Sequence, residues 1–376
     1  MKQMTTNTEL KDLYQKHGEN RIISLDLLLF YSALAITINH LNWAPIIKTP
    51  TLLFRTMLSP AMSVFITITS FSFAKMYSQM EEKNWYSVKN IIHLSASFMP
   101  TALLFIFFKL IIDLSTGNFS PVLFVDGLLG KGFLSSGGYL IAILIQLIAI
   151  FPFYYFFLKS SAFFSITFFI LLNILYELIP YTITESGSLY IFFFLRLSLS
   201  MLLGILLYMH ENRISHSIIP FLCVSLWFYF QALTEVGYQY RIFVRLKHNS
   251  QIFNAFFSFG IVFFVTKLDL TLRKFLFHKK KLSDIISMLG QAFIHIYFAQ
   301  YFFAVFLYTK LRSHTSFLLN IYALPFLSVF LIECCTAVVF SVSAGVIWFN
   351  VEKLLFKKIS ASSIITHVID ADRNII

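Results

Sequence analysis

The sequence predicts an all-α integral membrane protein, a polytopic bundle of about ten transmembrane helices, and three observations predict it. Of 376 residues, 58% are hydrophobic and only 12% are charged, which is more apolar than the core of a soluble domain requires. Apolar runs of about 18 residues or more recur along the chain, each able to cross a hydrocarbon layer about 30 Å thick. Those runs lack the alternating apolar and polar pattern of a membrane β-barrel, so helices are the expected spanning element.

Ten spans are expected in order, at residues 22–43, 57–75, 90–112, 138–158, 162–181, 189–208, 217–234, 251–267, 284–308 and 317–348. The first follows a short lead, residues 1–21, in which Lys2, Glu9, Lys11, Asp12, Lys16 and Glu19 interrupt any apolar core of the kind a cleaved signal peptide needs. The second carries Ser63, Thr67, Thr69, Ser70 and Ser72, small polar residues that serve helix packing more often than nucleophilic attack. The third ends on Lys109 and Asp113, an i,i+4 pair suited to an interfacial salt bridge. Lys159 separates the fourth and fifth spans, and Arg213 separates the sixth and seventh. A basic loop with Arg273, Lys274, Lys279, Lys280 and Lys281 divides the eighth from the ninth. That loop reads as a positive-inside anchor, with the phosphates of an acyl donor as the alternative. The tenth span is overlong, and Pro325 is expected to break it.

No repeat, low-complexity tract or added soluble domain interrupts this series. The expected organisation is therefore a cytoplasmic lead (1–21), a transmembrane domain (22–348) and a cytoplasmic tail (349–376). Orientation follows from the basic residues: with the N-terminus inside, inner segments carry 19 Lys and Arg against 8 in outer segments, the positive-inside bias. Both termini are then cytoplasmic. The net charge of +11 does not point to nucleic acid, because the basic residues lie in short loops and not on one soluble face. The lipid bilayer is the expected neighbour. Cys223, Cys334 and Cys335 lie inside apolar windows, which indicates neither a disulfide framework nor a metal site.

Ionisable residues inside apolar spans are functional candidates by default. Asp26 and His40 stand in the first span, about 21 Å apart along a helix and near one face. His40 is either a proton acceptor or an interfacial side chain bonded to a neighbouring helix. Arg196, flanked by apolar residues in the sixth span, either stabilises an anion such as a carbonyl oxyanion or snorkels to headgroups. Glu333, in FLIECCTAVV, needs a partner or a proton.

The order of several segments resembles the membrane acyltransferase-3 family. Asp26 and His40 match the acid and histidine of its first-helix motif, with Leu29 at the arginine position. SVFITITSFSFAK is similar to the second-helix signature, with Thr69, Ser70 and Phe71 where Ser-Gly-Phe is usual. GGYLIAILIQLIAIFPFYYFF, through Tyr139, Leu140, Gln146 and Pro152, and FLRLSLSMLLGILLYMHE, through Arg196 and Gly204, resemble two middle segments. LSDIISMLGQAFIHIYFAQYFF, through Leu289, Gly290, Ile296 and Tyr297, resembles a late helix, with Gln300 where a histidine is usual. WFNVEKLLFKKI resembles the closing segment through Val351, Glu352 and Lys353.

The resemblance implies an acyltransferase, an enzyme transferring groups other than aminoacyl groups. It implies acyl-CoA, with acetyl-CoA as the expected donor, no metal, and a surface polysaccharide or its lipid-linked precursor as acceptor, within exopolysaccharide biosynthesis. His40 would be the general base, Asp26 its partner on the same helix and Arg196 the electrostatic stabiliser. Tyr297, Gln300 and Glu333 would contact substrate. The alternative on the same bundle is a polysaccharide exporter or a non-catalytic membrane partner.

Overall fold

The computed structural model describes residues 22–39, 60–78, 99–115, 117, 120–121, 139–183, 195–214, 216–236, 251–276, 279–303 and 326–360. Eleven α-helices account for nearly all of them. They are α1 (Ile23–Asn39), α2 (Ala61–Ser78), α3 (Met99–Ser115), α4 (Tyr139–Ser160), α5 (Ala162–Ile183), α6 (Leu195–Ile214), α7 (Ile219–Val236), α8 (Gln251–Leu276), α9 (Lys280–Gln291), α10 (Phe293–Phe302) and α11 (Phe326–Ser360).

The expected bundle of about ten spans is not what these helices form. Among the described residues, three helices are long and apolar enough to cross a membrane, through Ile143–Ser160 of α4, Ile252–Asp269 of α8 and Leu331–Leu355 of α11. The number rises to four if the bent pair α9 and α10 is one span. Among the described residues, an apolar run can hide a break or carry too many polar side chains to count as a span. Helices α1 and α3 are described over 17 residues each, short of the roughly 20 a span uses. Helix α2 has 18 residues, but its serines, threonines and Lys75 make it too polar. The ninth expected span is divided at Ala292 by a 57° bend between α9 and α10. Helix α11, described from Phe326, continues past 348 as one helix of 35 residues, and Pro325 lies outside the described residues.

Large apolar side chains face outward on α5, α7 and α11, including Phe163, Phe164, Tyr229, Val339, Ile347 and Leu354. Such a surface is unfavourable in water and favourable against hydrocarbon. The protein is thus mostly helical with a few long apolar helices, consistent with membrane association.

Helix α1 lies at the centre, packed by α2, α8, α9, α10 and α11, while α6 packs on α2, α4, α5 and α8. Small residues allow these approaches. At Gly204 of α6, a Cβ would run into the Thr67 carbonyl oxygen and come within 3.0 Å of Ser70 Cβ on α2. The α2 hydroxyls behave as packing groups there: Thr67 Oγ1 lies 2.8 Å from the Ser63 carbonyl oxygen and 3.3 Å from that of Ser200 on α6. Asn173 of α5 donates to Ser198 Oγ on α6 at 2.8 Å.

The start of α1 is held by a group distant in sequence. The Ser24 backbone N–H, which has no partner within its own helix, donates to Asp269 Oδ1 of α8 at 2.9 Å. Arg273, one turn on, donates from Nε to Asp269 Oδ2 at 2.5 Å. A carboxylate at this end also complements the positive pole of the helix.

Candidate functional site

The polar constellation with the most defined geometry joins α3, α10 and α11. On α3, Thr101, Phe105 and Phe108 recur at helical spacing and so share one face. Phe105 stacks on Phe298 of α10 with ring centroids 4.5 Å apart, and Phe108 meets Phe302 at 6.4 Å and Trp348 of α11 at 6.1 Å. These aromatic contacts seat Thr101 where α10 and α11 converge. The last two helices approach closely because residue 345 has no side chain: a Cβ on Gly345 would lie 2.5 Å from the Cα of Ile296. Along α11, Gly345, Trp348 and Glu352 follow at helical spacing, so the glycine that admits α10 and the acid that binds it share a face.

There His295 Nε2 lies 3.0 Å from Glu352 Oε2. Thr101 Oγ1 lies 3.0 Å from each Glu352 oxygen and 3.1 Å from His295 Nε2. All three residues are buried, with Thr101 at 0%, His295 at 6% and Glu352 at 9% exposure. With Glu352 ionised and His295 neutral, the donor inventory gives one consistent arrangement. An ionised carboxylate only accepts, so the Thr101 hydroxyl and the His295 Nε2–H both donate to Glu352. In neutral imidazole this tautomer leaves Nδ1 as a lone-pair acceptor. His295 Nδ1 is buried without a hydrogen-bond partner among the described residues. The ring is bounded edge-on by Trp348, with centroids 5.8 Å apart, and by Phe349 at 5.3 Å. A carboxylate that orients an imidazole, an open second nitrogen and dry aromatic walls are the parts of a proton acceptor.

The residues expected from sequence are distributed differently. Asp26 is 4% exposed at the crossing of α1 and α9, where a Cβ on Gly290 would lie 2.5 Å from its own Cβ. Leu29, one turn on, is partly buried against the core. His40, the residue after Asn39 in the chain, lies outside the described residues. Arg196 is the second residue of α6, and its side chain lies outside the described residues. The same holds for the side chain of Lys109. Tyr297 and Gln300 are buried on α10, at 1% and 2% exposure. Both amide atoms of Gln300 are without a partner among the described residues. Glu333 is buried on α11, but it stands 19 residues before Glu352, about 28 Å along the helix, and does not join the His295 cluster.

Sequence reasoning passed over Thr101, His295 and Trp348. The reasoning applied to His40, that an ionisable residue in an apolar run is a candidate, applies equally to His295 in FIHIYFAQYF. Nothing in the chain marks Thr101. The three cysteines are free. Among the described residues, no group of three or more His, Cys, Asp or Glu could hold a metal ion. Compared with known proteins, the chain matches no family model, no curated protein and no solved structure.

Proposed function

We propose that this chain is a membrane O-acyltransferase, a diverged relative of the acyltransferase-3 family. On this reading it transfers an acyl group from cytoplasmic acyl-CoA, acetyl-CoA in the simplest case, to a hydroxyl of a surface polysaccharide or its lipid-linked precursor. The membrane is the bacterial inner membrane, with both termini cytoplasmic. The observation that carries the reading is the buried pair in which Glu352 orients His295 through Nε2 and leaves Nδ1 open.

The chemistry asked of that pair is general base and then general acid catalysis. Nδ1 takes the proton of the acceptor hydroxyl as the oxygen attacks the thioester carbonyl. The carbon–sulfur bond of acyl-CoA breaks, and the imidazolium returns the proton to the leaving thiolate, giving an ester and free CoA. Glu352 stabilises the transient imidazolium and holds its tautomer. Arg196 is the proposed stabiliser of the carbonyl oxyanion, and Asp26 anchors α1 in the same core. The motif order along the sequence also supports this reading, and it offers His40 as a second proton acceptor.

Deletion of the gene, followed by mass analysis of the surface glycan, tests the proposal. The expected result is loss of an ester-linked acyl group, restored by the wild-type chain and not by His295→Gln. An unchanged glycan rejects it.

A further inference from the structure

Two polar atoms on touching rings are left unsatisfied beside Glu352. His295 Nδ1 and Trp348 Nε1 are both buried, and neither has a hydrogen-bond partner among the described residues. Their rings meet edge to face at 84° with centroids 5.8 Å apart. Leaving one such atom unpaired costs about 1–3 kcal/mol, and native interiors rarely carry two side by side. The two atoms are also complementary. Indole Nε1–H can only donate. In the tautomer that Glu352 and Thr101 impose, imidazole Nδ1 accepts.

An atom that satisfies both must accept one hydrogen bond and donate another. That is a hydroxyl oxygen: a carbonyl or carboxylate could take the indole proton but has none to give to Nδ1, and an ammonium could serve Nδ1 but not Trp348. At about 2.9 Å per hydrogen bond, one oxygen spans two nitrogens up to roughly 5.8 Å apart, a separation within the range open to nitrogens on rings that meet edge to face. The surrounding Phe298, Phe302, Phe349 and Phe108 rings, each in contact with His295 or Trp348, offer no competing polar group.

We propose that His295 Nδ1 and Trp348 Nε1 together form a seat for one neutral hydroxyl oxygen, occupied by water at rest and by the hydroxyl of an alcohol when a ligand is bound. Under the acyl-transfer reading, on which its catalytic meaning rests, the alcohol is the acceptor sugar. Trp348 then acts as a positioning residue that aims the hydroxyl proton at His295. The site excludes carboxylate and phosphate ligands, because Glu352 already places a negative charge against the same imidazole.

The test is heteronuclear NMR on the full chain in detergent micelles with ¹⁵N-labelled tryptophan. Four tryptophans are present, and Trp348→Phe identifies the Trp348 indole signal while keeping an aromatic ring in the packing. The expected result is a hydrogen-bonded indole N–H that shows a cross-peak to bound water, moves on titration with a methyl glycoside, and loses both properties in His295→Ala. A water cross-peak without a glycoside shift identifies water as occupant; a shift identifies the alcohol. A Trp348 signal with neither property, or one that keeps both in His295→Ala, overturns the seat. The readout needs no turnover, so it can succeed where the glycan is unacylated, and it can fail where acyl transfer is found.

Discussion

His295 and Glu352 meet at 3.0 Å although 57 residues separate them in the chain. Their meeting closes α10 onto α11, and Thr101 brings α3 into the same hydrogen-bond network. Three helices therefore share one carboxylate. A buried hydrogen bond between a carboxylate and a neutral imidazole returns modest net stability, whereas removing one partner leaves the other unsatisfied and costs about 1–3 kcal/mol. Under the proposed function the pair serves chemistry; without it, the pair serves packing alone.

Glu352→Gln separates those two roles. The amide occupies the same volume and can still take the Thr101 hydrogen bond, but it no longer fixes the tautomer or stabilises the imidazolium. The expected outcome is a fall in kcat of about 100- to 10,000-fold, with KM for the acceptor nearly unchanged and the protein still folded in detergent. Equal changes in KM and thermal stability with kcat retained would make Glu352 a structural residue.

Arg196→Lys is expected to lose most of the transfer activity, since a point charge does not reproduce the planar guanidinium fork at an oxyanion. Arg196→Ala should lower kcat/KM by about 100-fold or more without changing the amount of protein in the membrane. Transfer by Arg196→Ala at the wild-type rate removes Arg196 from the site.

Gly290→Ala places a methyl group 2.5 Å from Asp26 Cβ and 2.6 Å from Asp26 Cα, where the backbone of α1 has little freedom to retreat. Overpacking of this kind costs about 1–3 kcal/mol. A lower unfolding temperature of the detergent-solubilised protein is expected. An unchanged unfolding temperature would show that α1 and α9 can separate without cost.

The helical class was legible because apolar runs dominate the chain, and the alternating pattern of a barrel is absent. The number of spans was not. Apolar length says nothing of the 57° break at Ala292 or of a helix such as α2 whose hydroxyls make it too polar. Asp26 was legible as a buried acid by its contrast with its neighbours. The partnership of Thr101, His295 and Glu352 was not, because the contacts span up to 251 residues and only tertiary packing brings them together. Glu352 stood out in a closing motif, yet a motif does not say which side chain its acid will meet.

Orientation can be settled independently of chemistry. With both termini cytoplasmic, as proposed, single cysteines near residues 10 and 370 in a cysteine-free background should resist a membrane-impermeant thiol reagent in intact spheroplasts and react after lysis. Labelling of the C-terminal cysteine in intact spheroplasts would place that end outside and reject the orientation.

The most direct measurement is transfer of labelled acetyl from acetyl-CoA to a glycan acceptor by the purified chain in liposomes, comparing wild type with His295→Gln. Glutamine keeps a donor for Glu352 but cannot accept a proton at neutral pH. The account predicts transfer by the wild type and a loss of about 100- to 10,000-fold in the variant, at an unchanged elution volume in size-exclusion chromatography. Absence of transfer by the wild type, or full transfer by a folded His295→Gln protein, would contradict it.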